Sequence, residues 1–90
     1  MTESDIAILV EAFDQLSSGG FKVEAEWQAV HAICQAHEGE KVFDWGHAFC
    51  HRIGGDEWNA GYWYRRAGKP VPADSFEDEW LAMRSELLTS

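Results

Sequence analysis

The chain has 90 residues, of which 46% are hydrophobic and 13% aromatic, and its formal net charge is −9. This length suits one domain with a modest hydrophobic core, so a single helical domain is expected over residues 1–90. The strong negative charge argues against a general affinity for nucleic acid or for an anionic membrane surface, and neither is expected as a partner.

Three further features concern the compartment. The first residues, MTESDIAILVEAF, are acidic where a secretory signal needs positive charge, and no apolar run approaches the roughly 20 residues that span a bilayer. Cys34 and Cys50 each fall within a predicted helix, which favours buried free thiols over a disulfide. We therefore expect a cytoplasmic protein.

Apolar residues recur at three- and four-residue spacing along the whole chain, and no segment alternates in the manner of a strand. Asp74 followed three residues later by Glu77 has the form of a capping box for the last helix. The predicted helices run from about Ser4 to Leu16, Val23 to His37, Val42 to Ile53, Glu57 to Ala67, and from this box to about Leu88.

The third and fourth helices should form a hairpin. Glycine commonly ends a helix, and Gly54 and Gly55 directly follow the third helix. Asp56 comes next and can cap the start of the fourth helix. Gly46, on the apolar side of the third helix, would let a neighbouring backbone approach closely. The sequence therefore predicts an all-α fold, a compact single domain of about five helices with a central antiparallel helical hairpin.

The side of the third helix opposite its apolar stripe carries Asp44, His47 and His51. Spacings of three and four residues place these side chains one above the next on a helix. Two imidazoles and a carboxylate can bind a divalent transition metal, or can form an acid–base pair in which Asp44 orients a histidine. Internal hydrogen bonding or plain ligand contact is the simpler interpretation. The HxxxH spacing is not that of a metalloprotease, because Ala48 stands where that motif has glutamate.

The second helix carries Glu24 and His31 beside its apolar stripe. If the second and third helices pack antiparallel, His31 or Glu24 could approach His47 and His51 and complete a metal site. A polar flank at the edge of the core is the favoured alternative.

The fourth helix adds Asn59, Tyr62 and Arg66, and Arg52 lies at the end of the third. The segment 41–69 has five basic residues against three acidic ones, whereas the rest of the chain has two against thirteen. Arginines in this mildly basic stretch could bind a carboxylate or phosphate, or could simply pair with acidic residues of the chain.

The central stretch HAFCHRIGGDEWNAGYWYRRAG resembles a group of small, uncharacterised bacterial and fungal proteins with the motif HA··HR··GD··NA·YWY·RAG. Glutamate is common in that group where Gly54 stands here. The resemblance implies no activity. The matching residues are His47, Ala48, His51, Arg52, Gly55, Asp56, Asn59, Ala60, Tyr62, Trp63, Tyr64, Arg66, Ala67 and Gly68.

The segment from Ala60 to Ala67 is also loosely similar to Sel1-type and tetratricopeptide-type helical hairpins, which bind proteins. No 34–40-residue period recurs in the chain, so a solenoid is not predicted.

These observations support three hypotheses. The leading one is a non-enzymatic helical module that binds a partner protein or a small anionic ligand through His47, His51, Arg52, Asn59, Tyr62 and Arg66, with no cofactor. The second is a metal-dependent enzyme that uses Asp44, His47 and His51 with His31 or Glu24. The third is a structural protein that acts through a homo-oligomer surface, with a homodimer as the simplest form.

Overall fold

The structure, a computed structural model, describes residues 3–89, with side chains up to residue 88. Five α-helices follow one another: α1 Glu3–Ser18, α2 Ala25–Ala36, α3 Lys41–Ile53, α4 Glu57–Ala67 and α5 Phe76–Thr89. No strand occurs in this part of the chain, and the helices form a compact globule. The all-α single domain predicted from the sequence is confirmed.

The helix ends explain where the predicted bounds were wrong. Residue Val23 lies outside α2 and is 52% exposed, because the backbone is still extended at Glu24 (φ −136°, ψ −154°). The cap of α5 is displaced by one residue from the predicted Asp74–Glu77 box, since the Ser75 hydroxyl accepts the hydrogen bond of the Asp78 N–H at 3.1 Å. Serine is among the best residues for this position.

The hairpin of α3 and α4 is as predicted. Gly55 takes a positive φ of 78° in the turn, and the Asp56 carboxylate accepts a hydrogen bond from the Asn59 N–H at 3.3 Å. Gly68, with φ 72°, ends α4. These glycines adopt a conformation that strains residues with a side chain, so their positions set the helix ends.

Helix α3 lies at the centre of the domain. It packs against both α2 and α4, and α1 packs against α2 and α5. Every residue from Phe43 to Cys50 is buried, including Asp44 and His47, which the sequence pattern had placed on a polar side. Because neighbours cover α3 on two sides, its polar residues are enclosed as well.

Gly46 of α3 provides a close approach, though for side chains rather than for the backbone predicted from the sequence. A Cβ at this position would lie 2.7 Å from Cys34 Sγ and 3.2 Å from Cε2 of Phe13. The ring of Phe13 also stacks on those of Phe49 and Trp80, with centroid distances of 5.5 and 4.8 Å. Gly46 therefore lets α1 and α2 pack their side chains directly against α3.

Both cysteines are buried and free, as expected from the sequence. Burial raises the pKa of the Cys34 and Cys50 thiols, so neither is a ready nucleophile. Between residues 3 and 89, no helix has the length and apolar character needed to cross a membrane.

Candidate metal centre

Three of the four histidines converge between α2 and α3. His31 lies on α2, and His47 and His51 lie on α3. The ring centroid of His31 lies 4.7 Å from that of His47 and 5.3 Å from that of His51. The centroids of the His47 and His51 rings are 5.0 Å apart. One nitrogen of each ring lies within 4.8 Å of the other two. We call these residues the histidine cluster.

The helices bring the cluster together in a simple way. His47 and His51 are four residues apart, so they share one face of α3, and their rings are nearly parallel at 22°. The ring of His31 stands edge-on to both, at 89° and 90°. The indole N–H of Trp27 donates to the Cys50 carbonyl at 2.8 Å, which fixes α2 against α3 at this level.

Two indole rings enclose the cluster. Trp27 stacks on His31 with a centroid distance of 5.0 Å, and Trp63 of α4 stacks on His47 at 4.1 Å. Both stacked pairs are within 19° of parallel. These aromatic walls hold the imidazole planes in place and keep water away from the buried side, where His47 is only 3% exposed.

The cluster has few polar partners. Nδ1 of His47 is buried, and among the described residues no group hydrogen-bonds to it. Nδ1 of His51 lies 3.8 Å from an oxygen of Asp56, a half-exposed carboxylate at the start of α4. An unsatisfied buried nitrogen costs about 1–3 kcal/mol, so His47 is an unfavourable side chain at this position unless it gains a partner.

The environment keeps all three imidazoles neutral. Burial, together with the neighbouring His31 and His51, lowers the pKa of His47 to about 4. Burial also lowers the pKa of His31. For His51, burial and His31 lower the pKa while Asp56 opposes them. At neutral pH the rings therefore carry free lone pairs, which is the form that binds metal ions.

Two residues proposed from the sequence for the metal site lie outside the cluster. Asp44 is buried on α3, but its carboxylate accepts the hydrogen bond of the Gly39 N–H at 3.1 Å and closes the turn before the helix. Glu24 is exposed at the start of α2. Of the residues predicted for a metal site, the structure brings together His47, His51 and His31, which was the optional member.

Arg52 also lies apart from the cluster. Its guanidinium pairs with the buried Glu79 of α5 at 2.7 Å and donates to the Asp74 carbonyl. Glu79 accepts two more hydrogen bonds, from the Trp45 indole at 3.0 Å and from the Tyr64 hydroxyl at 2.5 Å. Burial and these contacts with Glu79 raise the pKa of Tyr64. This network joins α3, α4 and α5.

Sequence reasoning missed Glu79, although a signal was present. It falls four residues before Met83, on the stripe that also holds Trp80 and Leu87. A carboxylate on an apolar stripe must find donors inside the protein, and the sequence offers them as Trp, Tyr and Arg side chains.

The remaining predicted ligand contacts lie along α4. Asn59 hydrogen-bonds Asp56 through its side-chain amide at 2.5 Å. Arg66 donates to the Tyr62 hydroxyl at 3.1 Å, and its guanidinium lies over the Tyr62 and Trp63 rings at 5.9 and 5.3 Å. A groove of about 710 Å³ lies between α1, α2 and α5, and none of the predicted site residues lines it.

No family model, no curated protein and no solved structure matches the chain in comparisons with each.

Proposed function

We propose that the protein is a small helical metal-binding protein in which His31, His47 and His51 hold a divalent transition metal. The observation that carries the proposal is the convergence of three neutral imidazoles within 4.8 Å. Imidazole nitrogen is a preferred ligand of zinc, nickel and copper. A tetrahedral site with metal–nitrogen distances of about 2 Å needs the nitrogens about 3.4 Å apart. The nitrogens here lie within 4.8 Å of one another, so the three rings would draw closer together when the ion binds.

The fourth histidine supplies an internal comparison. His37 donates from Nδ1 to the Ile33 carbonyl at 2.9 Å, its Nε2 lies 3.7 Å from Asp5, and its ring stacks on Phe43 at 4.2 Å. This is how a structural histidine is satisfied. His47 is more deeply buried and lacks such a partner for Nδ1, which supports a ligand role for the cluster over a structural one.

The ligand count supports an exchangeable position. Among residues 3–88, the group of side chains that could share an ion contains the three histidines and no fourth ligand. Structural zinc sites normally have four protein ligands, whereas three ligands and a water are usual where the metal reacts or exchanges its ligand. A small anion at this position would combine the anionic-ligand and metal-dependent hypotheses, and a bound water would give the site hydrolytic capacity.

The test is equilibrium dialysis of untagged protein against zinc, nickel and cobalt. We expect saturable binding of about one ion per chain, as a single three-ligand site requires. The variants His31→Gln and His51→Gln should lose it, because each removes one of three ligands. His37→Gln is the matched control, since it removes the histidine outside the cluster.

Tryptophan fluorescence gives an independent readout. Trp27 and Trp63 stack on two of the proposed ligands, so bound copper or nickel should quench them in wild type and not in His51→Gln. Absence of saturable binding in wild type, or equal loss of binding in His37→Gln, would refute the site. In that case the non-enzymatic partner-protein module would become the better hypothesis.

Other sequence-based hypotheses stay predictions. They are the membership suggested by the HA··HR··GD motif, the likeness to tetratricopeptide-type hairpins, and the cytoplasmic location. The two buried free thiols are compatible with that location.

A further inference from the structure

We infer that the free face of α4 is a self-association surface on which a second copy of this chain docks its own α4, antiparallel and related by a two-fold axis beside Gly61. The face is formed by Glu57, Trp58, Gly61, Tyr62 and Arg65, and we call it the α4 face. It lies on the flank of the helix next to Ala60, Tyr64 and Ala67, which pack into the core. Glu57, Trp58 and Arg65 are exposed, and Gly61 and Tyr62 are partly buried.

An exposed aromatic residue marks this face. Trp58 is 74% exposed, the largest exposed fraction among the large hydrophobic side chains of the described residues. Its ring lies nearly parallel to that of Tyr62, at 10° and 6.2 Å. Tryptophan, tyrosine and arginine are the residues that most often dominate binding energy at protein interfaces.

The charges on the α4 face indicate that its partner is a second copy of this chain. Glu57 and Arg65 are eight residues apart on one side of α4, equally spaced on either side of Gly61. Both are exposed, and neither has an ion-pair partner among the described residues. In an antiparallel pair centred on Gly61, Glu57 of each copy meets Arg65 of the second copy. The face is therefore complementary to itself, as a two-fold interface requires.

Gly61 supplies the second argument. Glycine in the middle of a helix is unfavourable relative to alanine, and nothing within the monomer requires it here. A Cβ at this position would meet only the end of the Arg65 side chain, at 3.6 Å, and Gly61 has no positive φ. The absence of a side chain at the centre of the face instead lets two helices approach closely.

The test is analytical ultracentrifugation of the untagged chain. One short helix pair makes a small interface, so we expect a reversible dimer with a dissociation constant in the micromolar range, on the order of 10–100 µM. Glu57→Arg and Arg65→Glu should each weaken it by about tenfold or more, because each creates like-charge contacts twice across the axis. Glu11→Arg, an exposed change of equal charge on α1, is the control.

The most direct test is to mix the two charge-reversal variants. Equal amounts of Glu57→Arg and Arg65→Glu should form a heterodimer about as tight as the wild-type dimer, because every cross-axis pair is then of opposite charge. The double variant, with Glu57→Arg and Arg65→Glu in one chain, should also recover the affinity of the wild-type dimer. Since positions 57 and 65 are too far apart to pair within one helix, recovery reports contacts between copies.

Gly61→Leu separates docking from folding. It should raise the melting temperature, since leucine favours helix over glycine, while weakening the dimer by about tenfold or more. Trp58→Ala should weaken the dimer similarly, and Leu81→Ala, at an exposed position of α5, should not. A monomer throughout the range up to about 1 mM, or a dimer indifferent to these changes or not restored by mixing, would overturn the inference.

Discussion

The buried carboxylate of Glu79 should be the most sensitive polar position of the fold. Glu79 is 2% exposed and is contacted by three donors, Arg52 from α3, Trp45 from α3 and Tyr64 from α4. Replacing it with alanine would leave a guanidinium without its carboxylate and two N–H or O–H groups without an acceptor. We therefore predict that Glu79→Ala strongly destabilises the domain.

The magnitude follows from the pairing. Removing one partner of a buried ion pair costs about 3–5 kcal/mol, because the other charge stays enclosed. Arg52 is partly exposed, so the lower part of this range applies to the pair, and the unsatisfied Trp45 and Tyr64 donors add to the loss. A domain of this size has a free energy of unfolding of about 5–13 kcal/mol, so Glu79→Ala should remove a third of it or more.

Urea denaturation at neutral pH, followed by circular dichroism, measures the effect. Glu86→Ala is the matched control on the same helix, since Glu86 is exposed and forms a salt bridge with Lys69 at 2.9 Å on the surface. Glu86→Ala should lower the free energy of unfolding by less than about 1 kcal/mol. Glu79→Gln keeps the shape of the side chain, and its loss of stability should lie between those of Glu79→Ala and Glu86→Ala. If Glu79→Ala were no more damaging than Glu86→Ala, the network would not stabilise the fold and this reasoning would fail.

Two further predictions concern the core of α3. Gly46→Ala should cost about 1–3 kcal/mol in urea denaturation, because its Cβ would meet Cys34 Sγ at 2.7 Å, and adding Cys34→Ala should recover part of the loss. The metal-free protein should lose stability as the pH falls from about 6.5 to 4, because the unfolded chain binds protons at His47 before the folded one does. The shift to a pKa of about 4 corresponds to at most about 3 kcal/mol. With a chelator present, His47→Gln should make stability depend less on pH in this range. An unchanged dependence would show that protonation of His47 is not the cause.

Local signals in the sequence predicted the helices well. The bounds of α4 are set by Asp56 and Gly68, whose cap roles depend only on neighbouring backbone groups. The starts of α2 and α5 were displaced by one or two residues, for different reasons. The backbone of α2 is still extended at Glu24, which makes no side-chain cap, and α5 has two adjacent residues that could serve as its cap. Asp74 and Ser75 compete for the same N-cap role, and the position of α5 in the fold selects Ser75.

The site was only partly predictable, because it depends on contacts between helices. Spacing placed His47 and His51 together on one face, but Asp44 turned to Gly39, a group that helical periodicity does not include. His31 joins the cluster only because α2 packs against α3 at that level. Glu79 and Arg52 meet across 27 positions of the chain, and the single sequence contained no rule that pairs them.

The central position of α3 links the fold to the proposed metal site. A helix covered by neighbours on two sides normally carries apolar residues on both, and α3 instead encloses His47 beside Trp63. Phenylalanine or leucine at this position would fill the same space without an unsatisfied nitrogen, and without the loss of stability expected in acid. A buried imidazole that is kept neutral, left without a hydrogen bond at Nδ1 and brought against two others is therefore a costly arrangement in the metal-free protein. Metal binding would offset that cost, because a ligand that binds only the folded state stabilises it, by about 2.7 kcal/mol when present at a hundred times its dissociation constant. The proposed metal site would therefore account for the cluster better than a contribution to the unliganded fold does.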